Sequence, residues 1–395
     1  MSHSVNQPIV PFQSLRALRA VPAEIHQQLG CADTLREILQ QPQTWRGTAA
    51  QLATADARDA LIGSIAPAPS HIVLTGSGSS VYVGECLAPV LQSALGVPCR
   101  AIAAGTLLVE RDSVLPRGQG LLISVARSGD SPESVGVVDA VLSAAPGYRH
   151  LVVSCNAEGK LATRYTHEPR VRVLLLDPAT NDRSLVMTSS FTNLVLAGSG
   201  LLPTRPVAGG ADVVEDMFDR CGDDLARCGA GHFDAVVYLG SGAAWGAARE
   251  SALKMMEMSA GDVRVMAETS LGLRHGPMAW LNQPSLLVSF LSGDAGVRAY
   301  ETDLLRELTR KRLGLDRIVV GENIDAELIG ERGLAIDLQG LYKLPAAQQA
   351  MIHVVVGQIL ALFRCLALGQ RPDAPSQGVL TRVVEAFTIH ADAAT

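Results

Sequence analysis

Charge is scarce in this chain of 395 residues. Asp, Glu, Lys and Arg make up only 18% of it, and lysine occurs four times, at 160, 254, 311 and 343. The net charge is −6. Binding along a nucleic acid needs a basic surface that neutralises phosphates, so that class of partner is excluded. A small anion needs only a local nest of donors and remains possible. The seven cysteines (Cys31, Cys86, Cys99, Cys155, Cys221, Cys228, Cys365) are scattered, with no C-x-x-C and no zinc spacing. That usage, and the lack of a charged-then-apolar segment before residue 30, fit a reducing cytoplasm, which is the expected location. Membrane-length apolar runs are missing too. The longest run, 351–368, contains His353, Gln358 and Arg364, and so reads as a buried helix with no membrane partner.

What the chain does have is apolar residues, 48% of it, with only 4% aromatic. Rich in Ala, Leu, Val and Gly, this is an α/β composition with ample core for two or three domains. Residues 1–32 read as an arm with one helix, broken by Pro8, Pro11 and Pro22. Asp33-Thr34 is expected to cap a short helix over 35–41 that Pro42 ends, and a second helix is expected over 46–65. Strands are expected at 71–75, 121–125, 151–155 and 171–176, with helices over 81–95, 132–144 and 187–201 between and after them. Pro203, Pro206 and Gly209-Gly210 mark a linker. Beyond it come a helix over 211–227, a strand at 235–239 and a further helix. Then follow strands at 285–291, 317–320 and 334–337, a helix over 302–313 and the long helix from 346.

Two features repeat. Strand-then-Gly-Ser-Gly occurs at 76 and 240, and strand-then-Ser-Gly-Asp at 128 and 292, each at an offset of 164. The halves therefore look like two copies of one βαβ unit, with their motifs at strand ends where open α/β sheets bind ligands. The copies differ in chemistry. The first gathers hydroxyls before helices: Ser77, Ser79 and Ser80 around Gly78, then Ser128 and Ser131 around Gly129, then Thr188, Ser189, Ser190 and Thr192. Free N–H groups and a partial positive charge at helix N-termini suit a phosphate. Ordinary N-capping would use one hydroxyl per helix, whereas here three clusters follow strands.

The second copy has Ala243-Ala244 in place of Ser79-Ser80 and carries ionisable groups instead. Glu250, Lys254 and Glu257 fall at spacings of 4 and 3, on one helical face, with Leu253, Met256 and Ala260 expected to point to the core. Taken alone, Glu250 and Lys254 could equally be a surface pair worth a few tenths of a kcal/mol. Eighteen residues past Glu257 stands His275, inside Arg-His-Gly-Pro, a rigid turn.

Together these motifs resemble the sugar isomerase (SIS) domain pair of glutamine–fructose-6-phosphate transaminase. They are closer still to the tagatose-6-phosphate ketose/aldose isomerase family, associated with galactosamine-6-phosphate deamination. Further shared stretches are Gln40-Gln-Pro42 with Trp45, Arg127-Ser-Gly-Asp-Ser-Pro-Glu-Ser134, Met187-Thr-Ser-Ser190 and Arg382-Val-Val384. The resemblance implies two tandem α/β domains of flavodoxin-like type, each a parallel five-stranded sheet between helices. It implies an N-terminal arm over 1–50, a phosphate-binding domain over 51–205, a catalytic domain over 206–372 and a tail, 373–395, closing the site. Residues 77–80, 127–131 and 188–190 would contact phosphate and sugar. Glu257 would move a proton between C1 and C2, and His275, reaching in from a neighbouring subunit, would open the sugar ring. Lys254 and Glu250 are expected in the same catalytic set, with Lys254 either holding Glu250 or Glu257 ionised or contacting the open-chain sugar. A homodimer or larger assembly is implied, with no metal and no organic cofactor. The chain departs from the transaminase at Ala126 and Arg127, and has no lysine after Asp373-Ala-Pro375. A Schiff base through that tail is therefore unavailable. Met278 also stands where lysine is expected in relatives.

The reaction expected is galactosamine 6-phosphate to tagatose 6-phosphate plus ammonia. A plain aldose/ketose-phosphate isomerase or a glucosamine-6-phosphate deaminase would use the same residues. A non-catalytic sugar-phosphate sensor is disfavoured by Glu257 and His275, and by an N-terminal region that is neither basic nor patterned as a helix-turn-helix.

Overall fold

The fold is described from a computed structural model covering residues 13–203, 209–281, 285–314 and 316–390. Pro8 and Pro11 of the arm and Pro206 of the linker lie outside the described residues. Five helices come first: α1 (Leu15–Ala20), α2 (Ala23–Leu29), α3 (Ala32–Leu39), α4 (Gln41–Leu52) and α5 (Ala55–Ile65). Four expectations are corrected here. Among its described residues the arm holds two helices instead of one. Asp33 and Thr34 do not cap α3 with their side chains; their backbone N–H groups donate to Asp373, at 3.2 Å to Oδ2 and 2.7 Å to Oδ1, so the cap arrives from the other end of the chain. Pro42 opens α4 rather than ending α3, because the first helical turn has no use for its missing N–H. The helix expected over 46–65 is two, since Thr54 accepts from the Ala57 N–H at 3.4 Å and starts α5 afresh.

The first sheet is built from β1 (His71–Gly76), β2 (Cys99–Ala103), β3 (Gly120–Ala126), β4 (Arg149–Ser154) and β5 (Val171–Leu175). Its helices are α6 (Ser79–Leu95), α7 (Ala104–Val114), α8 (Pro132–Ala144), α9 (Lys160–Thr163) and α10 (Ser189–Gly198). After α11 (Gly209–Ala230) come β6 (Ala235–Leu239), α12 (Ala243–Met258), β7 (Arg264–Glu268), β8 (Ser285–Phe290), α13 (Ala295–Arg310), β9 (Asp316–Gly321), β10 (Leu334–Asp337) and α14 (Ala346–Ala367). The strands run β2-β1-β3-β4-β5 in one sheet and β7-β6-β8-β9-β10 in the other, all parallel. This is the flavodoxin-like order, twice. The inner strands β1, β3, β6 and β8 are buried along their whole length, which is why they read as unbroken apolar runs.

The sequence reading missed β2 and β7. Both are the strands just outside β1 and β6, and their segments Cys-Arg-Ala-Ile-Ala and Arg-Val-Met-Ala-Glu carry charge in place of an apolar run. The two sheets share a core in which α12 packs against both α14 and α6. α14 is long and apolar enough to cross a membrane, and 89% of its most apolar stretch is buried inside the protein.

Candidate active site

β1 and β3 are neighbours whose following chains leave in opposite directions, so a crevice opens at their C-terminal ends. From β1 the chain turns through Ser77-Gly78 into α6. Gly78 has φ +55° and ψ −126°, a left-handed geometry that a side chain would strain. From β3 the chain passes Arg127, Ser128, Gly129 and Asp130 to Ser131, the N-cap of α8. Neither helix start carries a side-chain cap. Both helix starts border a cavity of about 230 Å³ lined by Ser77, Gly78, Ser79, Ser80, Arg127, Ser128, Gly129 and Ser131. The Ser77 hydroxyl is buried with no partner among the described residues. Asp130 is turned aside, accepting the Lys160 N–H at 3.0 Å.

α12 brings the ionisable triad to the same cavity. Its Lys254 is fully buried, and the ammonium donates to Ser79 Oγ at 3.1 Å and to Glu257 Oε2. Glu250 Oε1 stands 3.4 Å from the same nitrogen. Burial pushes the Glu250 carboxyl up to about 8, against the pull of Lys254. Burial also opposes the charge on Lys254, but Glu250 and Glu257 outweigh it and hold the ammonium above its ordinary value. Of the three side chains only Glu257 lines the cavity; it is 19% exposed, while Glu250 is sealed.

The other face of α12 corrects an expectation. Met256 is 45% exposed, Ala260 is exposed and Leu253 half-buried, so this is not the core face. Part of the buried face lies too close to its neighbours for long side chains. A Cβ on Gly246 would lie 2.6 Å from the Cys86 backbone nitrogen, and one on Gly357 of α14 would lie 3.1 Å from the Ser251 Cα. Alanines and serine fill those contacts, and the long apolar side chains the helix does bury are Met255 and Met258.

Thr188, Ser189 and Ser190 do not line the cavity. They are wholly buried around Asp182, which accepts from the backbone N–H groups of Thr188 (2.7 Å) and Ser190 (2.9 Å) and from the hydroxyls of Ser189 and Ser190. Thr192 accepts from Trp45 Nε1 at 2.9 Å. Asp182 also anchors the tail, because its carbonyl accepts from Arg382 Nε (2.9 Å) and Nη2 (2.7 Å). Arg127 donates to the carbonyls of Ser184, Leu185 and Arg382 at 3.2, 2.8 and 2.7 Å. Through these bonds Thr381, Arg382 and Val384 form one wall of the cavity. Sequence reasoning gave Arg382 no role; the available signal was a tail without lysine that nevertheless keeps one cation.

His275 lies elsewhere. It follows a single turn, Gly272–Arg274, beyond β7, is exposed and is not among the residues lining the cavity. Arg274, paired with Glu307 at 2.7 Å, ties its loop down. Among the described residues no three His, Cys, Asp or Glu side chains converge as metal ligands would.

Comparison with known proteins gives consistent results. No protein-family model matches the chain. A Streptomyces coelicolor protein named, provisionally, D-galactosamine-6-phosphate deaminase AgaS is 39% identical over 376 residues, 90% of this chain and 95% of that one. The Escherichia coli D-galactosamine-6-phosphate deaminase AgaS is 34% identical over 372 residues, with 90% and 95% covered. Among solved structures, the tagatose-6-phosphate ketose/aldose isomerase from Escherichia coli superposes with a TM-score of 0.82 at 29% identity, covering 94% of this chain and 99% of that one.

Proposed function

The chain belongs to the D-galactosamine-6-phosphate deaminase AgaS family, and from that premise we propose that it converts galactosamine 6-phosphate and water to tagatose 6-phosphate and ammonia. The observation that carries this reading is the single cavity in which two open helix N-termini and a serine cluster meet the Glu257 carboxylate. In this reading residues 51–205 hold the substrate, residues 206–372 act on it and the tail from 373 closes over it. The phosphate sits against Ser77–Ser80 and Ser128–Ser131, with Arg127 and Arg382 behind it. His275, supplied by a second copy of the chain, moves the ring-oxygen proton and opens the pyranose. Glu257 then takes the proton from C2 and returns it to C1, which turns the C2 amine into an imine. Water adds to the imine carbon, the C–N bond breaks and ammonia leaves. Lys254 fixes Glu257 in place from the side away from the sugar.

Purified protein incubated with galactosamine 6-phosphate, and separately with glucosamine 6-phosphate, tests this by assay of ammonia and ketose phosphate. Ammonia from the galacto sugar alone supports the reading. Ammonia from the gluco sugar keeps the chemistry and changes the substrate. The likeness to a structure named tagatose-6-phosphate ketose/aldose isomerase favours one second reading, isomerisation without deamination. Ketose phosphate turnover without ammonia would select it.

A further inference from the structure

The two halves of the molecule are related by a pseudo-two-fold axis. Arg249 of α12 pairs with Glu85 of α6, and these positions are separated by the repeat offset of 164, so each meets its own counterpart. α6 and α12 run antiparallel across the axis, since Lys254 near the end of α12 reaches Ser79 at the start of α6. The operation that maps one half on the other must therefore map the first cavity onto a second. That second cavity is present, with a volume of about 720 Å³, at the C-terminal ends of β6 and β8. Gly242 repeats the backbone of Gly78, with φ +58° and ψ −126°. At the same offset, Val90 stands where Lys254 does and Ser93 where Glu257 does, and both line the cavity.

The frame is kept, but the chemistry is not. Ala244 replaces Ser80, Ala295 replaces Ser131 and Leu291 replaces Arg127. Asp130 is turned away from the first cavity, whereas its counterpart Asp294 caps α13, with Oδ1 2.9 Å from the Val297 nitrogen. A carboxylate thus occupies the place where an anion would bind, and repels one. The remaining walls, including Leu202, Val297 and Pro345, are largely apolar. The buried Gln349 also lines it, but its amide is taken up by the Gly293 N–H and the Leu344 carbonyl. His353 lines the cavity from α14, is 1% exposed and stacks on Phe290 at 4.8 Å between ring centroids. Neither of its ring nitrogens has a partner among the described residues. Burial lowers its pKa to about 3, so it is a neutral imidazole offering one donor and one acceptor. A buried polar group without a partner calls for one, and a mostly apolar cavity of this size with a few convergent polar groups is the form of a small-molecule site.

We propose that this second cavity binds an uncharged ring compound whose hydroxyl or ring-nitrogen edge pairs with His353, and that it discriminates against phosphate. The site is independent of the activity assigned to the first cavity. The test is calorimetric titration of the full chain with adenosine and with N-acetylgalactosamine, then with AMP and N-acetylgalactosamine 6-phosphate. At least one uncharged probe is expected to bind, with its phosphorylated partner weaker by about tenfold or more at this site. Ser93 is exposed, so Ser93→Trp fills the cavity without entering the core; it should weaken the uncharged probe by about tenfold or more. His353→Phe keeps the stack on Phe290 and removes both nitrogens; it should weaken the probe while the melting temperature stays level or rises. The proposal is overturned if neither uncharged probe binds at millimolar concentration, if binding ignores Ser93→Trp, or if the phosphorylated partner binds there as well as the uncharged one.

Discussion

Glu250 and Glu257 sit on one helical face and share one lysine, yet only Glu257 reaches the cavity. A positioned acid or base contributes roughly 10² to 10⁴ in rate, so Glu257→Gln should lower kcat by about that factor with an unchanged circular dichroism spectrum. Near-wild-type turnover by that variant would remove Glu257 from the mechanism. A second carboxylate gives a pH prediction. Glu37 accepts from the Arg183 N–H at 2.6 Å and from Ser184 beneath the tail, and burial, with Asp182 nearby, raises its pKa from 4.5 to about 7. Its folded pKa lies above its unfolded one, so between those values the native state keeps a proton that the unfolded chain releases. The stability this group contributes is therefore full below pH 4.5 and is lost as pH rises toward 7. Its size is about 3 kcal/mol. Denaturant titrations at pH 4.5 and pH 8 should show Glu37→Gln lacking that share of the wild-type decline. Equal pH slopes for the two proteins would refute the assignment. The spacing in sequence located both glutamates of α12; it could not say which one is sealed, because exposure is set by the helices packed around them.

At the scale of elements, Arg371 and Asp373 stitch the C-terminal region to the first helices, Arg371 by donating to the Gln27 and Gln28 carbonyls. Asp373 accepts the Asp33 and Thr34 N–H groups and the Thr34 hydroxyl, and so serves as the N-cap that α3 does not supply itself. Replacing a capping residue by alanine costs about 0.5 to 2 kcal/mol, and Asp373→Ala should destabilise the protein by that amount. Because the tail past Asp373 walls the cavity, the same variant should raise KM more than it lowers kcat. A fall in kcat at constant KM would count against a tail that closes over the substrate. The contact between α6 and α12 is the other sensitive point. A Cβ at Gly246 would press on the Cys86 backbone, so Gly246→Val should force the helices apart and cost about 1 to 3 kcal/mol. Thermal melting measures this directly. The sequence announced α6 and α12 by their Gly-Ser-Gly starts, but the closeness of their approach turned the expected core face of α12 outward. β2 and β7 escaped notice because each lies at a sheet edge, half-buried, and carries charge where the inner strands carry an apolar run.

For the whole molecule, the exposed position of His275 apart from Glu257 bears on assembly. If one copy's His275 serves the site of another, Glu257→Gln and His275→Asn subunits should each be weak alone. Mixed and reassembled as dimers, they should recover about a quarter of wild-type activity, since half the dimers then carry one intact site. Activity no greater than the sum of the separate variants would mean each chain works alone. The sequence by itself determined the architecture: two copies at one offset, parallel strands written as apolar runs, and strand-end turns rich in glycine and serine. The strands and turns are local signals, spelled by residues a few positions apart, and the repeat is the same local signals written twice, 164 residues apart. The tertiary structure alone decided how the signals divide their labour. It assigned the Ser189 and Ser190 hydroxyls to Asp182 and brought Arg382 to the cavity wall, and it sealed Glu250 while leaving Glu257 open. It also paired the serine-rich cavity with a larger one facing His353. Each of those outcomes depends on contacts between residues far apart in the chain, where burial and competition for hydrogen-bond partners, not spacing, choose which group faces the ligand.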